Sequence, residues 1–229
     1  DLIPVIKPAS KYKAVKARVE AVNNPGGSVQ EDKHQSLSLS NMTFRYPSTK
    51  RDVLNSINID IKPGEKHALI GSSGSGKTTL LNQLIKQSDA GIMPQQLDFY
   101  NATVKENITM FNHFESEENQ INELLEQFEL DHFKADDYIT SAEYLSLGEK
   151  KRMHLIRMYI ENKNTWILDE PTASLNTRLR DKIWEEIFQK DTVLAATHDL
   201  SHLDRFDYVH YLEGGTIIES GSVKEVLLQ

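Results

Sequence analysis

Apolar positions along the chain fall at two spacings, and the switch between them outlines the predicted elements. Tyr12, Val15, Val19 and Val22 recur at helical intervals with Lys13, Lys16 and Arg18 elsewhere on the surface, which predicts a short amphipathic helix. Asn24-Pro25-Gly26-Gly27-Ser28 ends it, and the polar run through Gln35 reads as linker, so residues 1–35 are expected to connect and residues 36–229 to form the compact domain. Leu37, Leu39, Met42 and Phe44 suggest a strand, Ile57, Ile59 and Ile61 alternate strictly as a second, and Pro63-Gly64 turns the chain into a third at Lys66 to Ile70. Farther on, buried-type strands at Thr165 to Leu168 and Val193 to Ala196 alternate with helical stretches at Thr78 to Gln87, Glu149 to Glu161 and Arg178 to Gln189. That alternation predicts the α/β class with a mainly parallel sheet. Ile121, Leu124, Leu125 and Phe128, at helical spacing within the polar stretch from Glu115 to Lys134, predict a helical insertion.

Composition changes the picture only by exclusion. With 229 residues, 38% of them hydrophobic, the chain can bury a core, and no apolar run approaches the roughly 18 residues that a membrane-crossing helix needs. Lys and Arg number 26 against 34 Asp and Glu, and the resulting charge of -8 disfavours nucleic acid as a partner. There is no Cys, hence no disulfide framework, thiolate nucleophile or Cys-ligated zinc. Because the chain opens at Asp1 without an initiator Met, a fragment of a longer polypeptide is expected.

Two stretches carry chemistry. Gly71-Ser72-Ser73-Gly74-Ser75-Gly76-Lys77-Thr78 fits G-x-x-x-x-G-K-[ST], directly after the apolar Ala68-Leu69-Ile70 and before a predicted helix. Its glycines let successive N–H groups curl around one hollow, and the following helix adds its positive end, which suits triphosphate oxygens. Lys77 would set a compact charge on the β- and γ-phosphates, Thr78 would offer a hard hydroxyl oxygen to Mg²⁺, and Thr79 continues the pocket. This predicts a P-loop NTPase core without saying which NTPase. The second stretch, Thr165 to Glu170, is an apolar strand ending in two carboxylates, where open α/β sheets place ligands. Asp169 suits a Mg²⁺ partner and Glu170 a base that polarises water.

Leu145-Ser146-Leu147-Gly148-Glu149, followed by Lys150-Lys151-Arg152 and then Asp169-Glu170-Pro171-Thr172, resembles the signature and Walker B order of ATP-binding cassette (ABC) proteins. The resemblance runs from Ser36 to Leu228. It implies a RecA-like core with an antiparallel β subdomain and a helical subdomain near residues 96–160. It further implies that Tyr46 stacks on adenine, that Gln95 is the Q-loop residue meeting Mg²⁺ or water, and that His198 is the switch histidine at the γ-phosphate. Ser146 and Gly148 would bind the ATP of an opposite cassette. Thr103 to Ile108 looks like the segment after the Q-loop of exporter-type cassettes. The implied activity is ATP hydrolysis driving export at the cytoplasmic face of the inner membrane, with ATP and Mg²⁺ as ligands. A transmembrane domain and a second cassette are the implied partners. A soluble ABC ATPase on nucleic acid or ribosomes, or a regulatory ATP-binding module, is the alternative.

The pattern also departs from the family. Leu147 and Glu149 replace a Gly and a Gln of Leu-Ser-Gly-Gly-Gln, and Asn176 replaces an Asp after Ser174-Leu175. A side chain at Leu147 blocks close backbone approach, and Glu149 adds negative charge near a polyanion, so the signature half is expected to be the weaker one. The interval from Thr79 to Pro94 is short, which puts the antiparallel subdomain in question. Lys150, Lys151 and Arg152 read as a solvated helix face.

Overall fold

The computed structural model describes residues 36–111, 113 and 116–226. The helix expected over residues 11–22 and the linker through residue 35 lie outside the described residues. Ten strands are described: β1 (Leu37–Phe44), β2 (Leu54–Ile61), β3 (Lys66–Ile70), β4 (Gly91–Met93), β5 (Ala102–Thr103), β6 (Tyr138–Ile139), β7 (Thr165–Asp169), β8 (Thr192–Ala196), β9 (Tyr208–Glu213) and β10 (Thr216–Ser222). The helices are α1 (Lys77–Ile85), α2 (Val104–Ile108), α3 (Glu118–Gln127), α4 (Leu147–Glu161), α5 (Thr177–Phe188) and α6 (Val223–Val226).

The main sheet runs β10-β9-β3-β8-β7-β4. All its neighbours pair in parallel except the β9–β10 hairpin at the edge. Strand alternation sorts the core onto its two faces. Leu69, Ile167, Leu194 and Ala196 pack with Leu80, Leu81 and Leu84 of α1 and with the buried side chains of β1 and β2. Ala68, Trp166, Leu168, Val193 and Ala195 pack the other way, among side chains of α2, α3, α4 and α5. Covering both faces is what lets these short strands be almost wholly apolar.

The antiparallel part is small. β1 and β2 form a two-stranded ribbon in the register Leu37↔Ile61, Leu39↔Ile59, with shifts at Met42 and Phe44. Between α1 and β4 only residues 86–90 intervene, so no extra strand is added there. The ribbon is tied to the β9–β10 turn by Asn55 N donating to Gly215 O at 2.8 Å. A buried polar chain also spans this edge. Glu65 Oε2 lies 3.0 Å from His67 Nε2, His67 Nδ1 2.8 Å from His210 Nε2, and His210 Nδ1 2.7 Å from Ser220 Oγ.

One sequence expectation is overturned. Lys151 and Arg152, expected on a solvated face, are buried, as is nearly the whole middle of α4 through Met158. Each polar side chain in that stretch reaches a backbone carbonyl of a neighbouring element. Lys151 Nζ donates to Glu170 O and Ala173 O, Arg152 Nη1 to Phe128 O and Glu129 O, and Arg157 Nη2 to Asn107 O. His154 Nε2 lies 2.7 Å from Ile92 O. A buried charge survives when its donors are met, and here backbone acceptors meet them.

Candidate functional site

The chain leaves β3 at Ile70, turns through residues 71–76 and enters α1 at Lys77, one residue before the sequence predicts. Gly71 sits at φ +152, and a Cβ there would lie 2.2 Å from Leu212 O, so only glycine lets the loop pass this close to β9. Gly215 N donates to Ser75 O at 3.0 Å, making the β9–β10 hairpin the rear wall of the loop. Gly76, at φ +109 and without a capping side chain, leaves the first amides of α1 facing the hollow. Lys77 Nζ donates to Gly71 O at 2.7 Å and Ser72 O at 3.0 Å, which holds the ammonium across the mouth of the loop.

The C-terminal end of β7 faces this loop. Thr78 Oγ1 donates to Asp169 Oδ2 at 2.6 Å, joining two oxygens 91 residues apart in sequence. Glu170 stands at φ +52, its amide donating to Ala196 O at 2.9 Å. Its Oε2 accepts from His198 N at 3.3 Å. Its Oε1 lies 3.3 Å from His198 Nε2, within ion-pair range but not aligned for a hydrogen bond, and is buried without a hydrogen-bond partner among the described residues. A carboxylate oxygen has lone pairs that can accept a hydrogen bond from a donor such as water. Ser75 Oγ is likewise buried without a hydrogen-bond partner among the described residues.

These groups share one cleft of about 250 Å³, lined by Val53, Ser73, Gly74, Gly76, Lys77, Thr78, Thr79, Gln95, Asp169, Glu170 and His198. Gln95, Asp169, Glu170 and His198 also line an adjoining hollow of about 770 Å³ that reaches Leu147, Lys151 and Leu175. Gly71, Ser72 and Ser75 do not line the cleft; they support it from behind. Tyr46 stands outside the lining, with its hydroxyl 3.1 Å from Thr79 Oγ1 and its ring edge-on to Phe44 at 4.9 Å. Thr78 and Asp169 supply hard oxygens on one wall, a donor set that fits Mg²⁺. Among the described residues no group of three or more His, Cys, Asp or Glu converges for a metal, so any divalent ion here would take its remaining ligands from phosphate and water.

Ser146 and Gly148 are not brought to this cleft. Ser146 caps α4, its hydroxyl accepting from Glu149 N at 3.2 Å and donating to Glu149 Oε2 at 2.8 Å, while Ser146 N donates to the same oxygen. Glu149 is thus turned inward, with His132 Nε2 2.8 Å from its other oxygen. Burial pushes its carboxyl pKa up, but the Ser146 hydroxyl and amide and the His132 ring outweigh that and hold it below the ordinary range.

Sequence reasoning missed Lys151. Burial lowers its ammonium pKa to about 8, with Glu170 and Asp169 pulling the other way. The only signal for it was a run of cations near the start of a helix, where the helix end disfavours positive charge.

The family model described as ABC transporter matches residues 54–91 and 86–173. The glutathione/L-cysteine transport system ATP-binding/permease protein CydC of Escherichia coli (strain K12) is 29% identical, with 84% of this chain and 39% of that protein covered. An ATP-dependent lipid A-core flippase of Methylobacillus flagellatus is 30% identical over the same shares of the two chains. The chain therefore spans about two fifths of the length of these relatives. A bacterial Atm1-family ABC exporter with ATP bound superposes with a TM-score of 0.80 at 22% identity, covering 96% of this chain and 44% of that one. The ATP-binding cassette MJ0796 bound to ADP and Pi does so with a TM-score of 0.70 at 24% identity, covering 82% and 99%. Those two likenesses show the fold, an ABC ATPase cassette. With a family model matching more than half of its length, the chain belongs to the ABC transporter family.

Proposed function

We propose that this chain is the ATP-binding and ATP-hydrolysing cassette of an exporter, acting with a transmembrane domain at the inner face of the membrane. The observation that carries the reading is the meeting, in one cleft, of the Lys77 ammonium, the Thr78–Asp169 pair at 2.6 Å and the Glu170 carboxylate beside His198. The relatives are named as ATP-binding/permease and flippase proteins, which supports transport as the coupled work. In this reading the loop amides and Lys77 bind the phosphate tail, and the Tyr46 ring faces the base. Thr78, Asp169 and Gln95 would hold Mg²⁺, whose charge would offset that of the phosphates and polarise the phosphoryl group. Glu170 Oε1 accepts a proton from the attacking water, and His198, its ring beside both Glu170 and Lys77, contacts the terminal phosphate. Glu170→Gln is expected to keep MgATP affinity and to lose turnover by about 10² to 10⁴. Unchanged phosphate release in that variant would remove the assignment.

The signature supports a second statement. Because Ser146 spends its hydroxyl proton on Glu149, its half of a shared site is poorly set to donate to a phosphate, whereas the Walker half is intact. This favours a heterodimer with one strong and one weak site over a homodimer. The chain assayed alone should hydrolyse ATP slowly and gain rate on mixing with a partner cassette. Full activity by itself would favour a homodimer.

A further inference from the structure

The turn that follows the Walker B strand is held in an unfavourable backbone shape. Glu170 and Ser174 both have left-handed φ, +52 and +68, and neither is glycine. Such residues persist only where the surroundings over-determine them. Within the turn Ala173 N donates to Glu170 O at 3.3 Å, a long bond that does little alone. The strong ties come from another element. Lys151 Nζ donates to Glu170 O at 2.6 Å and to Ala173 O at 2.7 Å, the two ends of the same turn.

Lysine is almost never fully buried without partners, and a residue needed there only to fill space would be apolar. Lys151 is 5% exposed and sits five residues beyond the Ser146 cap of α4. Its ammonium reaches the backbone of Glu170 while the Glu170 carboxylate turns toward His198. A shift of the start of α4 therefore pulls on the peptide that aims that carboxylate.

We propose that Lys151 is a positioning residue for ATP hydrolysis, clamping the Glu170–Ala173 turn so that the placement of the signature helix sets the aim of the Glu170 carboxylate. The proposal rests on the reading of Glu170 as the base. Lys151 does not line the phosphate cleft and its hydrogen bonds go to Glu170 O and Ala173 O, so its loss should spare nucleotide affinity and strike the chemical step.

The test compares Lys151→Met, which has no donor, with Lys151→Gln, which keeps two N–H donors on a shorter stem, in the intact polypeptide carrying this chain. The readouts are kcat, the Kd for MgATP and the melting temperature. Lys151→Met is expected to lose about tenfold or more in kcat with Kd within about twofold of wild type, and Lys151→Gln to fall between the two. Wild-type kcat in Lys151→Met, parallel loss of kcat and affinity, or Lys151→Gln no better than Lys151→Met would each overturn the proposal. If Lys151→Met does not fold, Lys151→Gln decides, with a kcat loss of about threefold at constant Kd expected and wild-type kcat or a joint loss of kcat and affinity overturning it. Failure of the wild-type protein to hydrolyse ATP, or full turnover in Glu170→Gln, would instead remove the underlying assignment.

Discussion

Gly71 and Lys151 show how one atom decides what a residue can do. At Gly71 an added methyl would stand 2.2 Å from Leu212 O, and that acceptor belongs to a strand fixed on both sides by pairing. Gly71→Ala is therefore expected to destabilise the fold by about 1–3 kcal/mol and to weaken ATP binding with it. Thermal unfolding with and without MgATP measures both, and an unchanged melting temperature would show that the loop yields. The phosphate loop was legible from its residues because its chemistry is local: glycine spacing, one Lys and one Thr specify the turn. The partners of Glu170 were not, since the bond from His198 N and the clamp from Lys151 span 28 and 19 residues.

At the scale of the element, α4 departs most from its sequence pattern. Periodicity assigns a polar face to Lys150, Lys151 and Arg152, because a helical wheel cannot tell water from a ring of backbone carbonyls. Neighbouring elements supply those carbonyls, and no window of the sequence contains them. Arg152 joins α4 to the end of α3, through Phe128 O at 3.0 Å and Glu129 O at 2.7 Å. Arg152→Met should cost about 3 kcal/mol by leaving those acceptors unmet, and urea unfolding would register it. A loss below about 0.5 kcal/mol would mean that water replaces the guanidinium. The strands of the main sheet were easier to read, since β7 and β8 are nearly continuous apolar runs. β9 and β10 escaped: the two carry His210, Glu213, Glu219 and Ser220 among their apolar residues, and their pairing only becomes sensible beside β3.

For the whole molecule, the Glu65–His67–His210–Ser220 chain makes stability depend on pH. Burial lowers the His210 pKa to about 4, and burial lowers that of His67 too, although Glu65, Asp207 and Asp60 act against it. The unfolded chain binds protons near the ordinary histidine value of about 6.5, so it takes up more protons than the folded one as pH falls below that. The stabilising contribution is thus complete above about pH 6.5 and is lost progressively toward pH 4, by on the order of 3 kcal/mol for His210. Unfolding midpoints at several pH values would show the fall, and His210→Asn should flatten it. A slope unchanged in that variant would place the acid sensitivity elsewhere.

The hairpin behind the phosphate loop has a consequence for how the protein is made. Residues 71–78 leave the ribosome more than a hundred positions before Leu212 and Gly215, against which they rest. Until those arrive, the loop has no back, and Ser75 O and Asn55 N lack their partner at Gly215. The wall behind the phosphate loop is therefore complete only once nearly all of the cassette has emerged. Translation halted before β9 would leave a polypeptide carrying every recognised phosphate-binding residue and no finished place to put a phosphate.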